Sequence, residues 1–162
     1  FLPYMAGERA PIWDPNARGT FMGLNMNTTR AEMLRAVMEG TSFALQDNLD
    51  QAIKTGIPIR DFICCGGCSK SDIWLKIKAS VIGQEIKIPS VNLGAPGGLG
   101  YMNAAFMGEY KTPEDASRAA LQIKKIVEPV KEWIPIYKEL YQIYLDSYQS
   151  LKSQFAALAQ IK

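Results

Sequence analysis

The 162-residue sequence contains no histidine. Its commonest general base near neutral pH and its commonest metal ligand are therefore missing. Cysteine is scarce as well: Cys64, Cys65 and Cys68 are the only three. An odd, clustered set is no disulfide framework and points to a reducing compartment, the cytoplasm. No apolar run approaches the roughly 18–20 residues that a bilayer-spanning helix needs, and no segment reads as a secretory leader. Neither sign of charge dominates, with 18 Lys and Arg against 16 Asp and Glu and a formal net charge of +2. Without a basic stripe or a like-charge block, neither a nucleic-acid nor a membrane partner is expected. An initiator methionine is absent too. The chain opens on Phe1-Leu2-Pro3-Tyr4, and it is expected to be a piece of a longer protein.

What is present describes a soluble globular domain. Apolar residues make up 48% and charged residues 21%, ordinary values for a chain long enough to bury a core. Gly7, Pro11, Pro15, Gly19 and Gly23 punctuate a loop-rich opening over residues 1–28, with a short strand expected at Thr20–Leu24. Thr29-Arg30-Ala31-Glu32 spells a capping box. The helix it opens should run to about Lys54, present Met33, Val37, Phe43 and Ala44 inward, and stop at Gly56. Arg60–Cys65 reads as a buried strand, Gly66-Gly67 as a turn, and Ser69 or Ser71 as the cap of a second helix ending at Gly83. Glu85–Pro89 alternates like a strand. A glycine-rich turn, Gly94-Ala95-Pro96-Gly97-Gly98, should lead into a small-residue helix to about Met107. Thr112-Pro113-Glu114-Asp115 starts another helix. The last helix, from about Pro135, repeats Tyr137, Leu140, Tyr141, Tyr144, Tyr148, Leu151 and Phe155 at three- and four-residue spacing, the mark of a packing face. This alternation predicts an α/β layer structure. Two strands make a poor sheet, so further strands are expected upstream of Phe1.

The principal chemical candidate is Cys64-Cys65-Gly66-Gly67-Cys68-Ser69-Lys70-Ser71. Glycines let a ligand approach the backbone, and a helix start offers unpaired N–H groups and a positive dipole end. Such crevices at the carboxyl ends of strands are where α/β sheets bind nucleotides. Equally, two glycines can serve packing alone, and the segment is neither a Walker A loop nor a GxGxxG fingerprint. Cys65-Gly66-Gly67-Cys68 has CxxC spacing, which raises a redox reading. Zinc would need about four ligands, and small buried thiols are the plainer account. The segment Gly7–Gly19, dense in Trp, Arg and Asp, reads either as a rigid loop knitted by pairs such as Arg9 or Arg18 with Asp14, or as a loop facing an interdomain cleft.

Several segments taken together resemble one family. Phe1-Leu2-Pro3-Tyr4-Met5-Ala6-Gly7-Glu8-Arg9-Ala10-Pro11, followed by Trp13-Asp14-Pro15-Asn16-Ala17-Arg18-Gly19, is similar to the opening of the C-terminal lobe of FGGY carbohydrate kinases. Gly19-Thr20-Phe21-Met22-Gly23-Leu24 and, seven residues on, Glu32–Glu39 look like that family's second signature. Gly66-Gly67-Cys68-Ser69-Lys70-Ser71 resembles its adenosine-side turn, and Leu93–Gly108 its following small-residue helix. The resemblance covers roughly residues 1–150 in collinear order. It implies an α/β fold, part of an actin/hexokinase-like (ribonuclease H-like) ATPase domain. Residues 1–162 would be an incomplete C-terminal kinase domain, lacking the N-terminal lobe and the first part of its own. It implies ATP and Mg2+ as cofactors, and nucleotide contacts at Gly66, Gly67, Cys68 and Ser71. No catalytic residue and no metal ligand is expected in this chain, since the family's Asp base and its phosphate-binding Gly-Thr turn lie upstream. The sugar is expected mainly on the missing lobe. Ser71, where glycerol kinases carry Asn, favours a xylulokinase or gluconokinase. Pro96-Gly97-Gly98-Leu99-Gly100 departs from the Ala-Leu-Gly-Ala-Ala of some members. A ribulokinase-like member, a non-catalytic binding module on the same fold, and self-association through exposed strand edges complete the expectations.

Overall fold

Residues 1–28 form no regular element, yet their path is fixed. Leu2 and Thr20 exchange backbone hydrogen bonds of 2.9 and 3.1 Å, and Glu8 and Asp14 exchange bonds of 2.9 and 2.8 Å. The expected strand at Thr20–Leu24 reduces to the single bridge at Thr20. The computed structural model describes residues 1–91 and 94–161. Within them lie helices α1 (Arg30–Lys54), α2 (Asp72–Ile82), α3 (Gly94–Phe106), α4 (Pro113–Ala120) and α5 (Trp133–Leu158), and strands β1 (Ile86–Pro89) and β2 (Ile123–Val127).

Local chemistry sets the helix ends. The Thr29 hydroxyl accepts from the Glu32 N–H while the Glu32 carboxylate accepts from the Thr29 N–H at 2.7 Å, so the capping box is complete. Gly56 at φ 81° and Gly83 at φ 75° turn the chain out of α1 and α2. Thr112 caps α4 through the Asp115 N–H. The glycine-rich run from Gly94 is not a turn but the first turns of α3 itself. Leu93, the start of the matched small-residue segment, lies outside the described residues. The last helix begins at Trp133, two residues before Pro135, because proline is accommodated in a first turn where its missing N–H costs nothing.

The sheet differs from expectation in both partners. Arg60–Cys65 is neither a full strand nor buried. It touches β1 only around Ile63, opposite Lys87, with Cys64 N–H donating to Lys87 C=O at 3.0 Å and Lys87 N–H to Phe62 C=O at 2.8 Å. The partner of β1 is instead β2, antiparallel, with Ile86 opposite Val127 and a bulge between Ile88 and Pro89. Lys124-Lys125 breaks the alternation that marks a strand, and four of the five β2 residues are exposed, so no apolar pattern announces it.

Two cores result, with α2 between them. Leu75 and Ala79 of α2 pack with Ile86, Ile88 and Val127 beside the sheet. Ile77 joins Leu2, Tyr4, Ala17, Phe43 and the α5 residues Tyr137, Tyr144, Tyr148 and Phe155. Leu140, placed on the packing face by its spacing, is 37% exposed. Gly40 admits the opening segment: a Cβ there would collide with the Phe1 carbonyl oxygen. The α3–α4 pair carries Leu99, Met102 and Phe106 on its exposed surface.

Candidate functional site

The four residues singled out from the sequence lie along one short path. From Cys64, held against β1, the backbone turns at Gly66, makes a single 3-10 turn over Gly67–Lys70, and enters α2. Ser71, not Ser69, is the cap: its hydroxyl oxygen accepts from the Trp74 N–H at 3.4 Å. That leaves the hydroxyl hydrogen able to donate outward. Ser69 closes the turn from inside, donating to the Gly66 carbonyl at 2.7 Å.

The two glycines have different reasons to be glycine. Gly66 sits at φ 84°, ψ −164°, a region essentially closed to residues with a Cβ. Gly67 has no such conformation, and a Cβ added there would meet no atom within 4 Å. Among the described residues neither strain nor packing accounts for glycine at position 67. Both glycines are exposed, and Cys68 and Ser71 are half-buried beside them.

Two residues on α2 belong to this neighbourhood without having been singled out. The Lys78 ammonium lies close enough to the Cys68 sulfur to favour its charged form, and it is 5.1 Å from the centre of the Trp74 ring. Among the described residues the Trp74 indole N–H is enclosed with no hydrogen-bond acceptor, an uncommon state for a buried donor. The spacing of Trp74 and Lys78, one turn apart on the helix following the glycines, is the signal that could have found them. The CxxC spacing misleads about the thiols. The close pair is Cys64 and Cys68, with sulfurs 3.4 Å apart, while Cys65 is exposed. Burial raises the Cys64 pKa, aided by its sulfur neighbour. Burial works the same way on Cys68, but the Lys78 ammonium and the Cys64 thiol outweigh it and lower that pKa.

The Gly7–Gly19 loop is knitted, but not by ion pairs. Among the described residues neither Arg9 nor Arg18 pairs with Asp14. Arg18 donates instead to the carbonyls of Pro15 and Ala17, both at 2.9 Å. Asp14 is buried and accepts from Asn16 N–H at 2.8 Å and from the Tyr148 hydroxyl at 2.9 Å. Burial opposes its ionisation, yet these bonds prevail and lower its pKa. The outer side of the loop exposes Arg9 and Trp13, the latter at φ 46°, beside a cavity of about 560 Å³ lined also by Ala6, Glu8 and Pro15. A second cavity, about 240 Å³, lies between α1, α5 and the opening segment, well apart in sequence from the Gly66–Ser71 turn. Among the described residues no group of three His, Cys, Asp or Glu could hold a metal ion. Nor, among the described residues, is any helix long and apolar enough to cross a membrane.

The sequence pattern described as "FGGY family of carbohydrate kinases, C-terminal domain" matches residues 1–109. The chain belongs to the FGGY family of carbohydrate kinases. It is 32% identical over 161 residues to a xylulose kinase of Staphylococcus epidermidis, covering 99% of this chain and 32% of that protein. It is 26% identical over 170 residues to a gluconokinase of Bacillus subtilis, covering 98% and 31%. Among solved structures, ligand-bound xylulose kinase from Lactobacillus acidophilus superposes with a TM-score of 0.86 at 29% identity, covering 97% of this chain and 32% of that one. The FGGY fold is thus the actin/hexokinase-like one that the sequence implied. The chain spans about a third of the length of the curated relatives it matches.

Proposed function

We propose that residues 1–162 are the C-terminal, nucleotide-binding part of an ATP-dependent sugar kinase, with a xylulose-like pentulose as the favoured acceptor. The observation that carries this reading is Gly67. It stands at the turn into α2, needs glycine neither for its backbone nor for its neighbours among the described residues, and leaves the backbone open to a flat ligand. The Trp74 indole N–H, without an acceptor among the described residues, and the Ser71 hydroxyl would supply polar groups nearby. Gly66, Gly67, Cys68 and Ser71 would hold the adenosine side of ATP, and ATP when bound supplies the phosphoryl group. Mg2+ would accompany the ATP phosphates, and no metal ligand is assigned to this chain. The sugar and the base that takes its proton would be held by residues outside these 162. The xylulose kinase match at 32% identity over nearly the whole chain favours xylulose, and the gluconokinase match makes gluconate the competing acceptor.

The test uses the kinase that contains this chain. It is expected to phosphorylate xylulose with ATP in preference to gluconate, ribulose and glycerol. Gly67→Val should raise KM for ATP by roughly tenfold, about 1.4 kcal/mol of binding, while stability shifts by less than about 1 kcal/mol because the new side chain meets open space. No ATP-dependent phosphorylation across that panel would refute the reading.

A further inference from the structure

The Gly66-Gly67 turn is bracketed by two thiols that the redox reading of the sequence did not pair. Cys64 leaves the edge of β1, the turn reverses the chain, and Cys68 returns its sulfur to 3.4 Å from that of Cys64. Closing that gap to the 2.05 Å of a disulfide needs a movement of little more than 1 Å. The residues between them are Cys65, Gly66 and Gly67, and added Cβ atoms at either glycine would meet nothing within 4 Å, so the connecting backbone has room to move. Both thiols are half-buried, within reach of a small reagent, and both are free.

We propose that Cys64 and Cys68 are a thiol pair that closes to an intramolecular disulfide and thereby reshapes the Gly66–Ser71 turn, switching off nucleotide binding. Its consequence for nucleotide rests on the function proposed above; the pairing itself does not. The oxidant is a low-molecular-weight disulfide, of which glutathione disulfide is the probe. Cys68 attacks as the thiolate, since the Lys78 ammonium favours its charged form. A bond forms between Cys68 Sγ and one sulfur of the reagent as the reagent's own S–S bond breaks, releasing one thiolate. Cys64 then loses its proton to water and attacks Cys68 Sγ, and the second thiolate leaves. Two protein thiols are oxidised and one disulfide is reduced to two thiols. Drawing Cys68 toward Cys64 moves the residue that follows Gly67 and stands three before Ser71, so the backbone opening and the capping hydroxyl no longer keep their relative positions.

The test compares Cys65→Ser, which leaves only the close pair, with Cys64→Ser, which leaves only the CxxC pair. Both are treated with glutathione disulfide, and closure is followed by the mass loss of two hydrogens. Cys65→Ser should close at the rate of the unsubstituted chain and at least roughly tenfold faster than Cys64→Ser. Equal rates, or mixed disulfides with no closure, would overturn the pairing. ADP is then titrated into reduced and oxidised Cys65→Ser protein. Affinity should fall about tenfold on oxidation and return with dithiothreitol, and unchanged affinity in the fully oxidised protein would overturn the switch. Reduced protein that does not bind ADP would defeat both the nucleotide reading and the switch, while the closure rates would still decide whether Cys64 and Cys68 are the pair.

Discussion

Phe43→Ala is expected to lower the unfolding free energy by about 3–5 kcal/mol, the range for removing a buried aromatic ring. Phe43 is 5% exposed on α1, and its ring lies 5.9, 6.0 and 5.7 Å from those of Tyr137, Tyr141 and Tyr144 on α5. Those three rings are held from their far ends. Tyr137 donates to Glu39 at 2.9 Å, Tyr141 donates to Asp50 at 2.7 Å, and the Tyr144 hydroxyl meets that of Tyr4. They cannot collapse into the space Phe43 vacates without giving up those bonds, so the cavity term stays near its full size. With the stability of a domain at about 5–15 kcal/mol, the variant should melt on the order of 10 °C lower. Leu34→Ala, at a position 52% exposed on the same helix, should cost less than about 0.5 kcal/mol. Thermal denaturation followed by circular dichroism compares the two, and equal melting temperatures would contradict this packing.

The same cluster makes the protein sensitive to alkali. Burial pushes the pKa of Tyr4, Tyr137 and Tyr148 up to about 12, reinforced for Tyr137 by Glu39 and for Tyr148 by the carboxylate of Asp14. Burial raises Tyr141 and Tyr144 as well, with Asp50 and Tyr4 adding to it. The sign follows from linkage. A phenol near pH 10 in the unfolded chain and higher in the folded one favours folding below pH 10, and that contribution is lost as pH rises toward 12. Because Tyr137 and Tyr148 donate hydrogen bonds to carboxylates, ionisation leaves two acceptors facing one another at Tyr137 and Glu39 and at Tyr148 and Asp14. Loss of helical circular dichroism and the rise of phenolate absorbance should therefore coincide in one transition between pH 10 and 12. A phenolate rise complete before the helices melt would show that the tyrosines are not held this way.

What the sequence made legible was whatever chemistry resides within a few consecutive residues. Thr29 with Glu32, Thr112 with Asp115 and Gly83 after α2 each act on backbone groups three or four residues away, and each was placed correctly. The α5 stripe was visible as a period, but its acid partners were not: Asp14 and Tyr148 are 134 residues apart, and only the fold brings them together. The sheet was the least legible part. Residues 60–65 read as a strand because a short apolar run lies between turn residues, but they pair only briefly, while in β2 Lys124-Lys125 interrupts the alternation of Ile123, Ile126 and Val127 and the strand is defined by its antiparallel partner. At the candidate site the glycine turn and its Ser71 cap could be read directly. The pairing of Cys64 with Cys68, and the arrival of Lys78 from the next helix turn, depend on how the chain reverses at Gly66 and were hidden behind the more familiar CxxC spacing.

The most direct test of nucleotide binding at this turn is an ADP titration of the isotopically labelled chain, followed by its backbone and indole amide resonances, since even affinity on the order of 1 mM registers there. The predicted result is a saturating set of shifts confined to residues 64–74, including the indole N–H of Trp74, with the titration moved to roughly tenfold higher ADP by Gly67→Val. Saturating shifts centred elsewhere, with residues 64–74 unmoved, would contradict it.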